Sequence, residues 1–153
     1  MNKRIILIHE KYENDFGFVN KDENNNIIIP KYNNDKNRKL KIYTWGEKIS
    51  KNIKQDCNLI FDVSKFFCKN NGDIRNLNGT DELIQRSIIN HPRFSDLAEK
   101  IVKSIEENNS NIISFVCNHG KHRSVGWAEI IKKLYYPKST LYHLDLKKLK
   151  KKN

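Results

Sequence analysis

The sequence predicts an α/β fold: a layered, mostly parallel sheet flanked by helices, with a phosphate-binding loop between a central strand and a helix. Three observations predict it. Short apolar runs alternate with segments of helical periodicity along most of the chain. Two of those runs, Leu59-Ile60-Phe61-Asp62-Val63 and Ile112-Ile113-Ser114-Phe115-Val116, are apolar almost throughout, as buried parallel strands are. The segment Cys117-Asn118-His119-Gly120-Lys121-His122-Arg123-Ser124 then joins the second run to a helical pattern, gathering a thiol, two imidazoles, a lysine and an arginine in one connection.

Taken in order, Ile5-Ile6-Leu7-Ile8 and Ile27-Ile28-Ile29 read as two short strands on long Asn- and Asp-rich connections. Asp15-Phe16-Gly17 shares its letters with a kinase metal-binding triplet, but no glycine-rich loop, strand lysine or catalytic loop accompanies it, so it reads as a turn. Residues 40–45 alternate as a strand should, and the run at 59–63 places Asp62 at a strand end. Thr80 is expected to cap a helix with Asp81 and Glu82 in its first turn, Leu83, Ile84 and Ile88 as apolar positions and Pro92 at its end. Ser95 is expected to cap the next, where Leu97, Ala98, Ile101, Val102 and Ile105 recur at helical spacing. A strand at 112–116, a helix over 124–136 and a strand at 140–144 complete the pattern. The expected division is an N-terminal extension (1–37), one α/β domain (38–146) and a basic tail (147–153).

The 153 residues carry a formal net charge of +11, which invites a polyanionic partner. Most of that charge is lysine scattered among asparagines and isoleucines, and scattered lysines solubilise without recognising anything. Lys147, Lys148, Lys150, Lys151 and Lys152 are the exception, because a terminal run of like charge suits contact with RNA. No stretch approaches the ~20 apolar residues of a membrane span, nor does the start resemble a secretory signal, so no membrane partner and a cytoplasmic setting are expected. Three unevenly spaced cysteines fit no disulfide framework, and Cys57 and Cys68 read as plain buried thiols.

In the 117–124 loop, backbone N–H groups and the positive end of the following helix should converge on one spot, with Lys121, His122 and Arg123 beside it. The expected ligand is a phosphorylated small molecule, a sugar phosphate or nucleotide. The same residues permit a second reading. Cys117, five residues, then Arg123 and Ser124 is the spacing of cysteine-dependent phosphatases, in which Cys117 would attack phosphorus and Arg123 would hold the equatorial oxygens, with Asp62, Asp73 or Asp81 as the acid. Spacing alone is weak, and binding without turnover is preferred. Cys117, His119, His122 and His143 could ligate zinc, but Lys121 and Arg123 oppose a divalent ion, so neither metal nor cofactor is expected.

Several stretches, in chain order, resemble one family. Trp45-Gly46-Glu47-Lys48, Phe61-Asp62-Val63, Ile74-Arg75-Asn76-Leu77-Asn78-Gly79-Thr80-Asp81, the loop from Cys117 to Val125, and Tyr142-His143-Leu144-Asp145-Leu146 are similar to motifs of the C-terminal domain of the RNase adapter RapZ family. That family is usually seen fused behind a P-loop kinase-like domain. The resemblance implies a regulatory domain that binds small RNAs and a hexosamine phosphate. It also implies a pocket built from Asp62, Arg75, Gly79, Asp81, Cys117, Asn118, His119, Gly120, Lys121, His122, Arg123, Ser124 and His143.

The chain departs from the family at Ser64, where the family has an arginine, at Asn118 and His119, which replace Thr-Gly, and at Leu144, which replaces a second arginine. Lys65, Lys121 and His119 restore charge but not arginine's two-pronged contact with phosphate. A second copy of the chain is a further partner the sequence leaves open. Removing 147–152 is expected to weaken RNA binding and flatten its salt dependence in a titration at two ionic strengths, with small-ligand affinity unchanged.

Overall fold

The apolar runs pair into one sheet in the computed structural model, which describes residues 5–8 as backbone and residues 23–24, 29–49, 57, 59–68 and 76–146. The Asp15-Phe16-Gly17 turn, Ile27 and Ile28, Asp73, Arg75 and the tail lysines Lys147 to Lys152 lie outside the described residues; Ile29 is irregular. The elements are β1 (Ile5–Ile8), β2 (Lys41–Gly46), β3 (Leu59–Asp62), α1 (Glu82–Ile89), α2 (Phe94–Glu107), β4 (Ile112–Cys117), α3 (Arg123–Leu134) and β5 (Thr140–His143). The sheet runs β1-β3-β4-β2-β5 with every pair parallel, as expected of an α/β layered fold.

Strand alternation divides the side chains between two faces. Leu40, Ile42, Leu59, Phe61, Ile113 and Phe115 share one face and one core with the apolar sides of α1, α2 and α3. Trp127 anchors that core: its indole stacks on Phe94 (5.3 Å between centroids) and meets Phe66 edge-on at 5.1 Å. Trp45, Ile60 and Val116 fall on the opposite face, where they cluster with Cys57. All described helices therefore cover the same face of the sheet. Register sets Gly46 beside Cys117 and Asp62 beside Val116, so β2, β3 and β4 end together at one edge, where ligands gather in open parallel sheets.

Two helix starts differ from the sequence expectation. The N-cap of α1 is Asp81, because Asn78 Oδ1 already accepts both the Thr80 N–H (2.7 Å) and its hydroxyl (2.6 Å). The N-cap of α2 is Arg93, not Ser95: the chain turns immediately after Pro92, with the Phe94 N–H donating to the His91 carbonyl at 2.9 Å. His91, expected at a helix end, also stacks on Phe66 at 4.0 Å.

The stretch before β2 is strapped to the far ends of α2 and α3. Arg38 forks onto Glu106 (Nε–Oε2 3.2 Å, Nη2–Oε1 3.1 Å), the Tyr136 hydroxyl donates to Glu106 at 2.6 Å, and Asn34 donates to the Tyr135 carbonyl at 2.7 Å. Tyr135 and Tyr136 sit under this strap, the twelve-residue length of α3, about 18 Å, from the loop.

Burial pushes the Glu106 carboxyl up, but the hydrogen bonds from Arg38 and Tyr136 outweigh it and hold the carboxyl below its usual range. A carboxyl depressed on folding stabilises at pH above its unfolded value of about 4.3, and that stability is lost as pH falls through the folded value. Glu106→Gln is therefore expected to melt below wild type at pH 7, with the gap shrinking as pH drops below about 4 in melting curves taken across that range.

Candidate functional site

The loop after β4 is fixed by main chain on both sides. On the β2 side, the Glu47 and Lys48 N–H groups donate to the Cys117 and Asn118 carbonyls (2.8 and 2.9 Å). Gly120, at φ +67°, lies so close to β2 that a Cβ there would come within 2.6 Å of the Gly46 nitrogen, a contact open only to glycine. On the other side, the Gly79 N–H donates to the Lys121 carbonyl at 2.8 Å. Gln85 Nε2 in turn donates to the Gly79 carbonyl at 2.9 Å.

The loop closes around the Cys117 sulfur. The Gly120 N–H donates to Sγ at 3.3 Å, and the thiol lies 3.2 Å from the buried Ser124 hydroxyl. Cys117 is itself only 3% exposed. His119 is exposed, while Asn118, Lys121, His122 and Arg123 are partly buried around the start of α3. That helix has His122 as N-cap, no side-chain cap hydrogen bond and no acidic residue in its first turn, whereas α1 and α2 carry Glu82 and Asp96 there. Lys121 and Arg123 thus flank a positive helix end, an arrangement that favours an anion.

Several expected roles are replaced by others. His122 was expected to face phosphate or Asp62; its Nε2–H donates instead to the Leu77 carbonyl at 2.8 Å, tying the 76–81 turn to the loop. Asp62 and Asp81, expected in the pocket, both build turns. Asp62 Oδ1 accepts the Ser64 N–H at 2.9 Å, and Asp81 Oδ2 accepts the Asn78 N–H at 2.7 Å. Asp62 still acts indirectly, because the Ser64 carbonyl that it positions receives Arg123 Nη1. The guanidinium also lies 5.2 Å over the Phe67 ring.

His143 does not join the loop. Strand alternation turns it toward α3, where its Nε2–H donates to Glu129 at 3.1 Å and the Thr44 hydroxyl donates to Nδ1 at 2.8 Å. Among the described residues no three His, Cys, Asp or Glu side chains are placed to share a metal ion. The residue from that strand end that does reach the loop is Asp145, two positions on. It is fully buried and accepts the Gly46 N–H at 2.7 Å, with its Cβ near Gly120. Sequence reasoning passed over Asp145 although it lies in the 142–146 motif, because only the end of β5 at His143 reveals which residue turns back under the sheet edge.

Phe67 is the other residue missed. It is 54% exposed, although an aromatic beside Phe66 suggests core. With Cys68, Ile84, Ser87, Ile88, His122 and Arg123 it lines a cleft of about 190 Å³ beside the loop. Burial pushes the Cys68 thiol up to about 11, so it is a neutral wall group at physiological pH.

The family model described as the RapZ C-terminal domain matches residues 38–150, and the chain belongs to that family. No curated protein sequence matches the chain at a significant level. No helix among the described residues is long and apolar enough to cross a membrane.

The 76–81 turn approaches α3 so closely that a Cβ on Gly79 would lie 2.1 Å from the Gly126 nitrogen, and main chain on both sides leaves nothing flexible to yield. Gly79→Ala is expected to cost about 2–3 kcal/mol in denaturant melts, as overpacking against fixed atoms does. Any anion binding at the loop should fall with it.

Proposed function

We propose that this protein is a phosphate-ligand-binding regulatory domain that seats the phosphate of a small molecule, a sugar phosphate or nucleotide, at the start of α3. The observation that carries the reading is the composition of that start: Lys121 and Arg123 flank the positive end of a helix that, unlike α1 and α2, has no acidic residue in its first turn. Each such cation costs up to about 1 kcal/mol, and a bound phosphate reverses the sign. Asn118 to Ser124 supply main-chain donors. Arg123 supplies the two-pronged contact, swinging from the Ser64 carbonyl. Asp62, Gly79, Asp81 and Asp145 hold the surrounding turns, and His143 holds β5 to α3. Arg75 and the tail lysines Lys147, Lys148, Lys150, Lys151 and Lys152 add positive charge to the chain, and a run of that kind suits RNA as a second polyanion. Family membership supports a regulatory role, and a cytoplasmic setting supplies ligands of this kind.

A phosphatase reading is favoured by one observation, the Gly120 N–H and Ser124 hydroxyl placed around the Cys117 sulfur. Three others weigh against it. Cys117 does not line the cleft, Arg123 Nη1 donates to the Ser64 carbonyl, and the described acid candidates, Asp62 and Asp81, are engaged in turns.

Inorganic phosphate, hexosamine 6-phosphate and adenosine 5′-monophosphate at millimolar concentration should each raise the melting temperature, since a ligand of the folded state stabilises by RT ln(1 + [L]/Kd). Arg123→Ala should weaken that response about tenfold or more, and Cys117→Ser should retain it. A wild type that shows no shift with any of the three overturns the reading. Turnover of a phosphomonoester between about pH 5 and 8 that Cys117→Ser abolishes would establish the second one.

A further inference from the structure

The strand order leaves β5 at an edge of the sheet, with β2 on one side of it. Alternation divides its main chain between that neighbour and the outside. The Thr140 and Leu144 N–H groups donate to the Leu40 and Thr44 carbonyls, so those of Leu141 and His143 point away from the sheet. Among the described residues nothing accepts these two N–H groups or donates to the Leu141 carbonyl.

The side chains hold the strand in place while its edge stays open. Leu141 packs on the helix-side core, and His143 reaches Glu129 and Thr44 on that same side. Tyr142 faces the other way, stacked on Tyr43 with 4.8 Å between ring centroids, and is 38% exposed. Edge strands are usually blunted by a lysine, a proline or a bulge, because an open edge templates further pairing. β5 has none of these within Thr140–His143 and keeps an unbroken register with β2; its four-residue length is its one protection.

Charge decides what fits such an edge. From Lys138 to Lys152 the chain holds six lysines and one acid, Asp145, which is fully buried. Lys41, in register with Thr140, is a further exposed cation. A second copy paired two-fold through β5 would set lysines against lysines, and like charges across an interface are costly. A strand with carboxylates at its ends meets opposite charge instead.

From this edge we propose that β5 takes an extended acidic segment of a partner protein as a sixth strand of the sheet, with an apolar or aromatic residue of that segment seated on Tyr142. The three outward main-chain groups offer few hydrogen bonds, each of modest net worth, so Tyr142 and the lysines supply the selectivity. The contact is separate from the loop after β4 and stands or falls independently of phosphate binding.

The test is amide hydrogen exchange and titration of the full chain with three blocked ten-residue peptides. The first has Val and Tyr alternating with Thr at its centre and two Glu at each end; the second replaces Glu with Lys; the third is the first with alternate backbone nitrogens methylated. The acidic peptide is expected to slow exchange at the Leu141 and His143 amides about tenfold or more. It should bind about tenfold or more tighter than the Lys peptide at low salt, with the margin closing by about 0.5 M salt. The methylated peptide should not bind. Tyr142→Ser should weaken the acidic peptide about fivefold or more, with the fold verified by circular dichroism. No protection of the two amides, equal affinity for the Glu and Lys peptides, or indifference to methylation or to Tyr142 overturns the inference. Protection already present in the free chain and rising with its concentration gives the edge to a second copy, and protection by a short oligouridylate alone gives it to RNA; either result overturns the inference as well.

Discussion

The structure depends on one constraint: the loop after β4 is gripped by main chain from two directions, with no side chain between. Gly120 lies against the end of β2 and Gly79 lies against the start of α3, each at a separation that a Cβ would forbid. Those approaches allow the Glu47, Lys48 and Gly79 N–H groups to hold the loop carbonyls directly. The carbonyls are consumed by the scaffold, and the charged side chains stay at the rim. Rigidity here comes from covalent geometry and not from packing volume, so it does not compete with ligand for space.

Charge is the second element, and it runs against stability. Natural helices place acids at their starts, as α1 and α2 do, while α3 begins with Arg123 after Lys121 and His122. Sites that violate a local rule are where function tends to lie. The scaffold meets part of the cost: Leu77 and Ser64 carbonyls accept His122 and Arg123. The Arg123 guanidinium also lies 5.2 Å from the centre of the Phe67 ring.

Much of the fold was legible because the parallel strands are continuous apolar runs and the helices carry clean 3.6-residue patterns. β3, β4, α2 and α3 each begin or end within a residue or two of their expected places. Helix starts were less legible, since Thr80 has the right chemistry for a cap and loses the position to a competing turn at Asn78. The loop itself could be read from residue type, but side-chain direction could not. His143 and Asp145 are two residues apart, and which one meets the loop depends on where β5 stops; one faces Glu129 and the other the Gly46 N–H. Phe67 was hidden for a related reason, as an aromatic next to Phe66 suggests core, and only the tight turn after Val63 sends one ring inward and the other out.

Backbone amide spectra recorded during titration with inorganic phosphate test the central claim, that the start of α3 and its loop form an anion site. Saturating shifts confined to the amides of 118–125, with the amides of the tail unmoved, are the predicted result. Small, unsaturating shifts spread over the lysine-rich surface, with the 118–125 amides silent, would contradict it.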